Sequence, residues 1–105
     1  MSEYLRLLGE RVLIFDGAMG TQLMALELSA SDFGGAVQHG CNETLVLTRP
    51  DVVRAIHDSY LAAGADVVET DSFTGSRLKL DEYGLGHKAV EINFRAAAIA
   101  REACD

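Results

Sequence analysis

The apolar positions of this chain follow two rhythms. Tyr4, Leu5 and Leu8 recur at helical spacing behind Ser2, which suits a helix N-cap, and Gly9 follows as a stop. Val12-Leu13-Ile14-Phe15 is instead an unbroken apolar run bounded by charge. A run without alternation is the pattern of a strand buried on both faces, as in a parallel sheet covered by helices. After Thr21, the residues Leu23, Met24 and Leu28 predict the apolar side of a short helix, with Met19 and Met24 as packing residues.

From Ser29 to Leu47 the periodicity fails, and Ser, Asp, Gly and Asn punctuate a stretch longer than an ordinary connection. A helix then begins at Thr48-Arg49-Pro50-Asp51, where Thr48 has N-cap spacing to Asp51 and Pro50 sits where its missing N–H does no harm. Val52, Val53, Ile56, Tyr60 and Leu61 form its apolar stripe, and Gly64 supplies a left-handed stop. His57 lies beside that stripe as a packed or surface imidazole without a dyad partner nearby in sequence.

Ala65 to Phe73 repeats the opening arrangement: a short strand centred on Val67 and Val68 runs into Glu69-Thr70-Asp71-Ser72. A helical turn over Gly75 to Tyr83 follows, broken by Gly84 and Gly86. Leu85, Ala89, Ile92, Ala96, Ile99 and Ala103 mark the buried face of a closing helix rich in strong helix formers. Strands alternating with helices predict an α/β fold with right-handed βαβ units and a parallel sheet. In such folds ligands sit outside the carboxyl ends of strands, where Asp16 and the Glu69 to Ser72 group both fall.

Composition narrows the partners. With 105 residues, 49% of them hydrophobic, the chain is at most one domain with enough apolar side chains for a core. A formal net charge of −7 repels phosphate backbones and anionic lipid, so neither nucleic acid nor a membrane surface is an expected partner. Cys41 and Cys104 are far apart and form neither a disulfide scaffold nor a local zinc pattern. No signal-peptide pattern opens the chain, and no apolar run approaches the roughly 20 residues that span a bilayer. The expected location is cytoplasmic.

The turn Asp16-Gly17-Ala18-Met19-Gly20-Thr21 combines a carboxylate with glycines that let a ligand approach the backbone. That pairing suits a zwitterion, the acid taking an ammonium and the amides a carboxylate. It lacks the Gly-x-Gly-x-x-Gly spacing of a dinucleotide site and the lysine of a P-loop. An aspartyl phosphotransferase would carry a second acid where Ala18 stands.

Taken together, Asp16 to Thr21, Gly40-Cys41-Asn42-Glu43 with Leu45, Thr48 and Pro50, His57 and Tyr60, Ala63 to Asp66, and Glu69 to Phe73 resemble the homocysteine S-methyltransferases. The likeness is greatest to the cobalamin-dependent branch, in which an N-terminal module binds homocysteine. It implies a (β/α)8 TIM barrel of roughly 250 residues, of which residues 1–105 would be a truncated N-terminal portion, an incomplete homocysteine-binding domain. It also implies methyl transfer to the homocysteine thiol to give methionine. The thiolate would be activated by zinc in the full-length enzyme, and methylcobalamin would be held by other domains of a parent that also carries a folate domain.

S-methylmethionine or betaine are the alternative methyl donors within the family. A non-catalytic α/β module or partner-binding remnant is the alternative outside it. By the resemblance Asp16 receives the substrate ammonium, the Gly17 backbone lies against the substrate, Thr70 stands near its carboxylate, and Glu69 is a neighbour. The family's three zinc-binding cysteines, one isolated and two in a Gly-Gly-Cys-Cys stretch, have no counterpart here, and Cys41 matches none of them. No catalytic residue is therefore expected in this chain, which alone would be inactive. Asp71-Ser72 stands where the family more often has Asn-Thr.

Overall fold

The computed structural model describes residues 2–105. Six α-helices make the framework: α1 Glu3–Leu8, α2 Met19–Ala25, α3 Leu45–Thr48, α4 Pro50–Ala62, α5 Arg77–Leu80 and α6 Ala89–Cys104. Short 3-10 turns at Ala30–Phe33, Asn42–Thr44, Asp81–Tyr83 and Gly86–Lys88 join them. None of the helices is long and apolar enough to cross a membrane among the described residues.

The core is helical. The apolar stripes of α4 and α6 face each other and α3, so that Leu45, Val46, Val53, Ile56, Ile92, Ala96 and Ile99 are buried together. Val53, Ile56, Ile92, Ala96 and Ile99 are positions that helical periodicity selects, whereas Leu45 and Val46 come from the stretch read as lacking it. Ser2 caps α1 by accepting the Leu5 N–H at 3.2 Å. Met24, by contrast, is 80% exposed and is not a packing residue, whereas Met19 packs on the core.

The expected α/β fold and its TIM-barrel portion are not what the chain adopts. Among the described residues there is no sheet, only an isolated parallel bridge between Phe15 and Val67. Val12, Ile14 and Phe15 are 83%, 58% and 46% exposed and Leu13 is only partly covered, so the run read as a doubly buried strand is buried on neither face. The physical reason is neighbourhood: a parallel ladder between two short segments, with no third strand beside either, cannot bury a continuous apolar run.

The capping prediction at α4 also fails, for a local reason. Thr48 is the last residue of α3 and donates its hydroxyl back to the Thr44 carbonyl at 3.4 Å. Asp51 instead receives the Arg49 guanidinium at 3.0 and 2.9 Å, and Arg49 also holds Asp32 at 2.6 Å. Arg49 thereby occupies the N-cap and ties the Ala30–Phe33 turn to α4, with Pro50 at the first helical position as expected. The stretch without periodicity is thus held by a capped turn, in which the Ser29 N–H donates to Asp32 at 2.9 Å.

Because Ile92 is fully buried where α6 meets the other helices, Ile92→Ala is expected to cost ~2–5 kcal/mol through lost burial and the cavity left behind. Urea unfolding followed by circular dichroism measures it, and a loss below ~1 kcal/mol would show that the core is not centred there.

Candidate functional site

The single bridge places the two polar segments side by side. Ile14 contributes its carbonyl to the Asp66 and Val67 N–H groups at 2.7 and 3.2 Å, and Val67 returns its carbonyl to the Asp16 N–H at 2.9 Å. The Asp66 carboxylate accepts the Ile14 N–H at 2.9 Å and pairs with Arg11 at 2.9 Å. Both partners hold the Asp66 carboxyl below its usual value, the Ile14 N–H foremost.

One residue beyond the bridge, Asp16 turns its carboxylate across the gap. Both of its oxygens accept the Glu69 N–H at 3.2 Å. Asp16, Gly17, Glu69 and Thr70, the four residues singled out for ligand binding, line one cavity of about 380 Å³. Thr70 shares a hydroxyl hydrogen bond with Ser72, so the two hydroxyls form a polar edge beside the acids.

Gly17 has a packing duty of its own. A Cβ there would lie 2.9 Å from the Tyr60 hydroxyl oxygen and 3.0 Å from its ring. Tyr60 donates that hydroxyl to the Ala18 carbonyl at 2.9 Å, pinning the turn to α4. The absence of a side chain at position 17 is therefore what lets the turn settle onto Tyr60.

Two carboxyls that sequence reasoning gave no part in binding complete the cavity. Glu43 is buried and accepts from Thr74 twice, from the hydroxyl at 2.7 Å and from the N–H at 3.3 Å. Asp71 is only 4% exposed, and its Oδ2 has no hydrogen-bond partner among the described residues. Burial, reinforced by the Glu43 carboxylate, raises the Asp71 carboxyl to about 7. In the sequence Glu43 is marked only as an acid two residues before the apolar Leu45-Val46 pair. Asp71 was visible only as a departure from the family's usual asparagine.

His57 lies fully buried in α4 with neither ring nitrogen bonded among the described residues. Burial pushes its imidazole below the usual value, and the Asp16 carboxylate opposes that shift. Cys41 is also buried, which pushes its thiol up, while Cys104 is exposed at the end of α6. Among the described residues no group of three or more His, Cys, Asp or Glu is placed to hold a metal ion. The residues present therefore do not fit a zinc centre.

The segment thus forms a carboxylate-rich pocket where two extended segments meet. Residues 13–105 match the family described as homocysteine S-methyltransferase, and the chain belongs to that family. It is 43% identical over 104 residues to the methionine synthase of Mycobacterium tuberculosis, covering 99% of this chain and 9% of that protein. To the methionine synthase of Mycobacterium leprae it is 44% identical over 104 residues, covering 99% of this chain and 8% of that protein. The chain thus spans less than a tenth of the length of these relatives.

Gly17→Ala is expected to push Tyr60 aside and destabilise the chain by ~1–3 kcal/mol, whereas Tyr60→Phe, which removes only the hydrogen bond, should cost ~0.5–1.5 kcal/mol. Chemical denaturation of both variants checks this, and a neutral Gly17→Ala would remove the close approach as the reason for that glycine.

Asp71 makes a separate prediction about pH. Its folded value is raised, so its contribution is fully present below the unfolded value of 3.8 and is lost as pH rises through about 7. Over that window Asp71→Asn should remove a fall in stability, read as the difference between wild-type and variant urea midpoints at each pH. His57 acts oppositely below its ordinary value of 6.5, and taking the difference cancels it. A difference that stays flat from pH 4.5 to 7.5, on the order of these values, would show that Asp71 ionises normally.

Proposed function

We propose that residues 1–105 are one portion of the homocysteine-binding domain of a methionine synthase-type enzyme, which transfers a methyl group to the homocysteine thiol to give methionine. The observation that carries this reading is the gathering of Asp16 and Glu69-Thr70, more than 50 positions apart, around one cavity. Family membership supports the class of reaction, and the name of the relatives supports the methionine synthase type.

Asp16 is the acceptor for the substrate ammonium. The Glu69 N–H fixes the carboxylate without neutralising it, which leaves lone pairs for the ligand. The backbone of the Gly17 turn and the Thr70 hydroxyl face the substrate carboxylate. These residues bind and orient, and orientation is their share of the catalysis. Activation of the thiol by zinc and supply of the methyl group by methylcobalamin belong to other parts of the parent, since no side chain here fits the metal. The chain by itself binds without reacting.

In the full-length protein, Asp16→Asn should raise the KM for homocysteine ~10- to 150-fold, as expected for loss of a hydrogen bond to a charged group. Bound zinc, measured by elemental analysis, should not change. An unchanged KM, or loss of zinc, would overturn the assignment of Asp16 to the ammonium.

A further inference from the structure

The cavity is lined by four carboxyl side chains, Asp16, Glu43, Glu69 and Asp71, and among the described residues by no Lys, Arg or His. Such a field favours the cationic end of a ligand. The four are not equivalent. Asp16 already receives the Glu69 N–H, Glu43 accepts two hydrogen bonds from Thr74, and Glu69 is exposed to water. Asp71 is buried, lines the same cavity, and has an oxygen with no partner among the described residues. A buried acceptor without a donor is costly to maintain, and a ligand N–H would relieve that cost.

We propose that Asp71, backed by Glu43, is a second acceptor for the ligand's ammonium in this cavity, sharing it with Asp16. An ammonium carries three donors and can satisfy two carboxylates at once. This assignment rests on the amino-acid reading of the pocket given above. It adds a linked proton. The charged groups facing Asp71 are Glu43 from the Asn42–Thr44 turn, with the Cys41 thiol beside it, and Asp16 and Glu69 around the cavity; Tyr83 is the remaining titratable group of the lining.

All of these are acidic or neutral, so the empty pocket retains a proton on Asp71 near pH 7. An arriving ammonium replaces that proton, which leaves to the buffer while the carboxylate pairs with the cation. The carboxyl O–H bond breaks, no other covalent bond changes, and charge balances.

The test is calorimetry on the full-length protein at a pH of about 7, with methionine as ligand in two buffers of different ionisation enthalpy. Methionine has the ammonium and carboxylate of homocysteine but no thiol to ionise, so a released proton is not the ligand's. Wild type is expected to release about half a proton per methionine bound, the share that a group titrating near that pH holds. Asp71→Asn should abolish the release and weaken binding about tenfold or more.

Wild-type binding without proton release overturns the assignment even if the variant fails to fold. Equal release and equal affinity in Asp71→Asn overturn it as well, while leaving the amino-acid reading intact. Failure of wild type to bind either methionine or homocysteine overturns both readings together.

Discussion

The candidate site depends on one ionic clamp. Asp66 receives the Ile14 N–H and the Arg11 guanidinium, while Ile14 gives its carbonyl to the backbone of Asp66 and Val67. These contacts hold together two segments that share only one bridge. The position of Asp16 opposite Glu69, and with it the mouth of the cavity, follows from that register. A side chain does here what a ladder of backbone bonds would do in a sheet, and a charge-assisted bond to a carboxylate is stronger than the neutral bond it replaces.

The parts of the fold that were legible in the sequence are those whose stability is local or pairwise between helices. The stripes of α4 and α6 could be read because a period of 3.6 residues identifies a buried face whatever the partner is. Val12 to Phe15 could not, because an apolar run reports a capacity for burial and not the presence of the strands that would bury it. The start of α4 was misplaced by one residue because Thr48-x-x-Asp51 has the right spacing, but Arg49 competes for the same carboxylate. Such competition between side chains is invisible to spacing alone.

At the site, Asp16, Gly17, Glu69 and Thr70 were legible as strand-end polar groups and from the family motif. Glu43 and Asp71 were not, since their importance lies in burial and in each other. Glu43 accepts two hydrogen bonds from Thr74, and Asp71 has none for Oδ2 among the described residues. Two carboxyls lining one cavity thus differ in how they are satisfied. Only the fold separates them.

The uncovered Val12, Ile14 and Phe15 have a consequence for the behaviour of the chain in solution. An extended apolar segment next to a short backbone bridge is a template on which another extended chain can pair. The net charge of −7 opposes that encounter through long-range repulsion. Repulsion is screened within about 8–10 Å at ordinary ionic strength, whereas contact between apolar edges is not weakened by salt. Raising the ionic strength therefore weakens the repulsion between copies while leaving the apolar edge unchanged.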